Sequence, residues 1–253
     1  DNLGWTTSTK KNLENFSAIA YAFAYNIQKK LNVPVGIICN AIGGSPIQSW
    51  ISRESMEQNH ETINLLNDTH LNPMVDAWVS QRITLNMGDA PEKTIKYRHP
   101  YQPTFLFDAG ILPIKNYKIK GAIWYQGESN TEHVQLHSKL FKMLVNDWRN
   151  HFDNENLPFY YVQLSSINRA NWGVFRDSQR ALLEIPNTGM AVSYDVGNET
   201  DVHPKRKWVV GERLSKITLN KDYGFNTSFS GPLLDFVNVN GHKLEICFKY
   251  GEG

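Results

Sequence analysis

Cysteine is nearly absent from the 253-residue sequence: Cys39 and Cys247 are the only two. A pair of thiols so far apart cannot brace a disulfide scaffold or supply a cysteine-based structural zinc site, so neither organises this chain. An excess of either charge is missing as well, since 26 Lys and Arg face 25 Asp and Glu for a net charge of +1. That balance argues against nucleic acid or an anionic membrane as the main partner. No apolar run approaches the roughly 20 residues that cross a bilayer. Asp1 to Lys11 carries no signal-peptide pattern, and the chain has no internal repeat or low-complexity tract. What is present is 41% hydrophobic and 20% charged, the composition of a globular domain.

Strand and helix patterns alternate along the chain. Phe16, Ile19, Phe23, Ile27 and Leu31 fall at three- and four-residue steps and predict an amphipathic helix. Val33–Cys39, Ile119–Tyr125, Pro158–Leu164 and Gly189–Val196 read as short strands of one parallel sheet. Helices are expected over Leu136–Phe152, about Val174–Leu183, and from Pro204 to about Asn220. Ser52–Lys118 carries Pro and polar turn signals and reads as loops and short helices. This order predicts an α/β fold with helices on both faces of a parallel sheet. Phe236–Val239 and Leu244–Phe248 alternate with period two across Asn240-Gly241, a hairpin signature. A two-stranded hairpin wants further strands. With Asp1 at one end and Gly253 at the other, the chain reads as a piece of a longer polypeptide: residues 1–230 as one α/β domain and 231–253 as the start of a β-rich module.

Ligands of such sheets bind beyond the carboxyl ends of the strands. Gly43-Gly44-Ser45-Pro46-Ile47-Gln48-Ser49-Trp50 follows the first strand, and Gln126-Gly127-Glu128-Ser129-Asn130 the second. The last is followed by Asp195-Val196-Gly197 and Asp201-Val202-His203-Pro204. Asp201 is close enough in sequence to orient the His203 imidazole as a carboxylate does in a Ser-His-Asp system, although the same spacing suits a plain helix-start turn. The Gly44 N–H could approach a developing oxyanion, or Gly43-Gly44 could simply be a tight turn. Gln126 or Asn130 could donate a side-chain N–H to the same oxygen. Gly127-Glu128-Ser129 begins like a nucleophile elbow, but Thr131 stands where the trailing glycine belongs. His133 and His137 lie four apart on a helix. No Glu follows His133 as a metalloprotease motif requires, so a solvated helix face and no metal are expected.

Several of these blocks, in this order, resemble the sialate O-acetylesterase family of SGNH-type carbohydrate esterases. They are Phe16-Ser17-Ala18 with Asn32–Ile38, Gly43–Trp50, Trp124-Tyr125-Gln126-Gly127-Glu128-Ser129-Asn130, and Leu157–Leu164. Trp172 with Phe175-Arg176-Asp177-Ser178-Gln179, Asp201-Val202-His203-Pro204-Lys205, and Val210–Leu214 continue the series to about Pro232. The resemblance implies a three-layer α/β/α SGNH-hydrolase fold that removes acetyl groups from carbohydrates, without metal or organic cofactor. His203 matches the catalytic histidine, with Asp201 as its nearest acid and Asp195 in reserve, because Thr200 occupies the position three before the histidine. Gly44 matches the oxyanion-hole glycine, and Gln126, Glu128, Asn130 and Arg176 the substrate-facing blocks. Trp50, Trp172 and Tyr125 could stack on sugar faces or serve as core aromatics. The resemblance favours a secreted or periplasmic setting and an acetylated carbohydrate as partner.

The family's nucleophile is the serine of a Gly-Gln-Ser-Asn block, and no such block occurs in this sequence. The resemblance therefore implies an esterase whose serine lies outside these residues, in a missing N-terminal portion. A noncatalytic carbohydrate-binding remnant and a hydrolase using Ser129 are the alternatives.

Overall fold

The computed structural model describes residues 4–67, 72–88 and 98–251; parts of the Ser52–Lys118 segment thus lie outside the described residues. The chain divides into two compact units, one of residues 1–39, 190–192 and 206–253, the other of residues 40–189 and 193–205.

In the first unit α1 is a single turn, Lys10–Leu13, and α2 spans Ala18–Leu31. Ser17 starts α2 by accepting the Ala20 N–H at 3.2 Å, and Asn32 ends it in a left-handed conformation. The helix buries Ala20, Ala22 and Ile27. It packs closely on α7, Lys207–Lys221, because Gly211 has no side chain. A Cβ on Gly211 would sit 2.5 Å from the Ile19 carbonyl oxygen and 2.6 Å from the Ala22 Cβ.

Helix α7 starts three residues later than expected from Pro204. The hairpin forms as β4, Leu233–Asn240, and β5, Lys243–Lys249, paired antiparallel with Asn240 opposite Lys243. Its two-residue loop is therefore Gly241-His242 rather than Asn240-Gly241, with the positive φ of +60° at the first loop position, as a primed turn requires.

The strand expected at Val33–Cys39 does not form. Two of its apolar residues, Val33 and Ile38, are exposed, and no described strand pairs with the segment. An apolar run becomes a parallel strand only when a neighbour takes its backbone N–H and C=O groups.

The second unit contributes the first two strands. Strand β1, Ala122–Trp124, runs parallel to β2, Phe159–Val162, with Ile123 opposite Tyr160. Strand β3, Thr188–Ala191, completes the order β1-β2-β3. All three are shorter than the sequence pattern suggests. Short helices α3, Arg53–Glu57, and α4, Ala77–Met87, occupy the stretch read as loops and short helices. Helix α5, Val134–His151, presents Leu140, Phe141, Leu144, Val145 and Trp148 to the interior, and α6 covers Trp172–Ala181.

Aromatic rings form the centre of this unit. Trp124 meets both Trp50 and Trp148 edge-on at 5.8 Å, and Phe141 meets Phe159 at 5.7 Å and Tyr161 at 4.9 Å. Asp147 on α5 is buried yet satisfied: its carboxylate accepts the Ser52 N–H at 2.8 Å and the Ser52 and Ser55 hydroxyls, each at 2.6 Å.

His137 overturns the expectation of a solvated helix face. It is 1% exposed, neither ring nitrogen has a hydrogen-bond partner, and the ring lies 4.5 Å from that of Phe175. Burial holds its pKa down to about 3. The imidazole therefore fills the core as a neutral ring.

Two stability measurements follow from these contacts. Gly211→Ala should gain roughly 1 kcal/mol of helix propensity but lose more to overpacking against backbone, a net loss of about 1–3 kcal/mol in urea denaturation; a stabilised variant would show that α2 and α7 are further apart. For His137, an unfolded chain binds a proton near pH 6.5 that the folded chain refuses until about pH 3. Between those values the unfolded state holds more protons, so stability is lost as pH falls below about 6.5. His137→Phe should flatten that acid limb and leave stability at pH 7 equal or higher, because two orphaned ring nitrogens leave the core. An unchanged pH slope would place the acid sensitivity elsewhere.

Candidate functional site

The loop following β1 folds into a short 3-10 turn, Glu128–Asn130, that buries Ser129 and Asn130. The Asn130 carboxamide oxygen accepts the Ile47 N–H at 3.0 Å and a Gln126 amide N–H at 2.8 Å, while its own nitrogen donates to the Gln48 side-chain Oε1 at 3.0 Å. Gln126 donates its other N–H to the Ser45 carbonyl at 3.2 Å. The block after β1 and the Gly43–Trp50 block are thereby stitched together.

Gly44 adopts φ +76°, and a Cβ there would lie 2.4 Å from the Tyr101 hydroxyl. Tyr101 also donates to the Gly43 carbonyl at 2.7 Å and meets Trp78 edge-on at 6.1 Å. Among the described residues no acceptor takes the Gly44 N–H, which leaves it able to donate to a bound oxygen. Tyr101 and Trp78 wall this glycine and were not singled out in sequence; both lie in the stretch read as loops and short helices.

The two candidate side-chain donors differ from each other. Both N–H bonds of the Gln126 amide point at protein acceptors, so Gln126 shapes the turn, while its Oε1 is buried with no partner. Asn130 donates one N–H to Gln48 and retains a second. Ser129 is 2% exposed and its hydroxyl donates to the Gly44 carbonyl at 2.8 Å. Glu128 is half-buried beside Tyr125, whose hydroxyl is pushed up to about 12 by burial and by that carboxylate.

His203 and Asp201 pair as a unit. The His203 Nδ1 lies 3.2 Å from the Asp201 Oδ1, and the same oxygen accepts the His203 backbone N–H at 2.8 Å. Those contacts hold the Asp201 carboxyl below the usual carboxylate range. Val202, between them, packs on the buried cluster of Leu164, Trp172 and Phe175. Tyr125 packs on the same cluster, and Gly127 lies so close that a Cβ would be 2.8 Å from the Phe175 ring. One apolar cluster therefore supports both the histidine loop and the loop after β1. Asp195, the reserve acid, is exposed in the turn after β3.

Arg176 donates to the Leu164 carbonyl at 2.8 Å and to the Gln163 side chain at 3.1 Å, tying α6 to the end of β2. It also lines an open cavity of about 360 Å³ with Arg169, Trp172, Tyr194 and Glu199, and its guanidinium lies 4.6 Å from the Tyr194 ring. Arg169 and Tyr194 had no signal in the sequence beyond their proximity to named blocks. Trp50 and Trp172 are 4% and 3% exposed, so their rings serve as core.

Residues 102–220 match a family model described as carbohydrate esterase, sialic acid-specific acetylesterase. The sialate O-acetylesterase of Mus musculus is 29% identical over 264 residues, which cover 92% of this chain and 48% of that protein. The Homo sapiens sialate O-acetylesterase is 27% identical over 281 residues, 98% of this chain and 48% of its own length. A crystal structure of a carbohydrate acetylesterase from Xanthomonas citri aligns with a TM-score of 0.75 and 29% identity, covering 98% of this chain and 50% of the other. The chain thus spans about half the length of the relatives it matches. Matching blocks, fold and relatives point the same way: the chain is similar to the sialate O-acetylesterases, and residues 102–220 carry the sialic acid-specific acetylesterase match.

Proposed function

We propose that this chain carries the histidine–acid pair and the oxyanion pocket of a carbohydrate O-acetylesterase working by serine acyl transfer, with the nucleophilic serine contributed by residues outside these 253. The observation that carries the reading is the His203–Asp201 pair, held by 3.2 Å and 2.8 Å contacts on the same apolar cluster as the loop after β1. Asp201 fixes Nδ1, which leaves Nε2 as the base. Nε2 takes the serine proton as the serine oxygen attacks the acetyl carbonyl. The oxyanion then accepts the uncommitted Gly44 N–H, with the second N–H of Asn130 as the side-chain donor in place of Gln126. As the bond to the sugar oxygen breaks, His203 returns the proton to that oxygen. Water repeats the cycle and releases acetate. The substrate is an acetylated sugar, sialic acid being the one named by the relatives. Arg169, Arg176, Tyr194 and Glu199 around the cavity would contact its polar groups.

Ser129 is a poor rival nucleophile. Its hydroxyl is buried and already donates to the Gly44 carbonyl, and neither His203 nor any other imidazole is among its partners in the described residues.

Hydrolysis of 4-nitrophenyl acetate and of an acetylated sialoside tests the proposal. The isolated chain should show only a weak background. A protein extended by a segment bearing Gly-Gln-Ser-Asn should hydrolyse both, and His203→Ala should then cut kcat by about 10³-fold or more. In that protein Gly44→Ala should lower kcat by roughly 10²–10³-fold, the worth of one oxyanion donor, and Ser129→Ala should leave it within a few-fold. Full activity in the isolated chain, lost on Ser129→Ala, would overturn the assignment. Sugar binding without hydrolysis in the extended protein would favour a noncatalytic binding domain.

A further inference from the structure

Asp76 sits immediately before α4, Glu132 and His133 immediately before α5, and each offers one ligand atom such that all three lie within 4.8 Å of one another. Asp76 is 2% exposed, and its Oδ1 is buried with no hydrogen-bond partner. Its Oδ2 accepts the Glu132 N–H at 3.4 Å, and Glu132 Oε2 in turn accepts the Ala77 N–H at 3.4 Å. A buried carboxylate with an orphaned oxygen beside a second carboxylate is costly unless a proton or a cation is shared between them. Burial and the Glu132 charge push the Asp76 carboxyl up to about 6.

We infer that Asp76, Glu132 and His133 bind a divalent transition-metal cation that clamps the start of α4 to the loop between β1 and α5. Two carboxylates and one imidazole make a nitrogen–oxygen donor set suited to zinc or manganese, with water filling the remaining positions. Ligand atoms on one such ion stand about 3–3.5 Å apart, so the cluster needs only a modest contraction. Glu132, the exposed member, can supply that movement. Asp76 contributes Oδ1, which is buried and makes no hydrogen bond of ordinary geometry. His133 lies three residues beyond Asn130, so the ion would steady the turn whose carboxamide holds Ile47 and Gln48. The role is structural and independent of how acetyl esters are cleaved. It departs from the sequence expectation of no metal, because Asp76 comes from the start of α4 and Glu132 is the chain neighbour of His133, rather than either lying one turn further along α5.

Chelator-stripped protein titrated with zinc chloride by calorimetry and by thermal melting provides the test, with manganese and magnesium as comparison ions. One ion per chain should bind, and at a hundredfold excess over the dissociation constant the melting temperature should rise by roughly 5 °C. His133→Ala and Glu132→Gln, which alter residues at the surface or half-buried, should each weaken zinc binding at least about tenfold. Asp76→Asn should abolish it. Zinc binding of equal strength in the wild type and His133→Ala would assign the ion to another histidine and refute the site. Failure of the wild type to bind any of the three ions, with Asp76→Asn equally or more stable, would show that Asp76 is simply buried as the neutral acid.

Discussion

The side-chain amide of Asn130 joins three segments that are distant in sequence: its oxygen holds the Ile47 backbone and Gln126, and its nitrogen holds Gln48. All of these groups are wholly or partly buried, so each unmade bond would leave a polar atom stranded at about 1–3 kcal/mol. That constraint fixes the Gly43–Trp50 segment against the loop after β1. With it are fixed the Ser129–Gly44 hydrogen bond and the placement of the Gly44 N–H beside Tyr101. The donor geometry that acyl transfer would use is thus maintained by hydrogen bonds in the protein before any ligand arrives, which is how preorganised stabilisation of a developing charge is obtained.

Around this polar knot, the packing is aromatic. Trp50 links the two regimes, since its indole N–H donates to the Ser45 hydroxyl at 3.0 Å while its ring meets Trp124 and its carbonyl accepts the Trp148 N–H at 2.9 Å. Asp147 anchors the other side of the same region by capping α3 through Ser52 and Ser55. The loops bearing candidate chemistry therefore end on rigid, space-filling rings rather than on mobile surface.

Much of this could be read in the sequence wherever local pattern and burial coincide. The stripe Leu140, Leu144 and Trp148 gave α5, and the short apolar runs near Ile123 and Tyr160 gave β1 and β2, because those residues are buried as their periodicity asks. Val33–Cys39 has the same composition but no described strand beside it, and composition cannot report whether a neighbour is present. His133 and His137 misled for a related reason. Four-residue spacing places them on one helix face, yet His137 turns into a ring cluster and His133 meets Asp76 from the start of α4. The Asp201–His203 pair was visible because it is local, whereas Tyr101, Trp78 and Tyr194 reach the site only through tertiary packing.

The β4–β5 hairpin has a consequence for the time scale on which parts of this molecule open. Phe236, Val239, Leu244, Ile246 and Phe248 are each half or more exposed, so the ribbon is held mainly by its own ladder and the register from Asn240–Lys243 to Leu233–Lys249. A two-stranded ribbon with little buried surface separates at low free-energy cost. Its amide hydrogens would trade with solvent deuterium through local fraying, from the far ends toward the Gly241-His242 turn. Those of α5, roofed by Trp124, Phe159 and Tyr161, would wait for the unit around them to unfold.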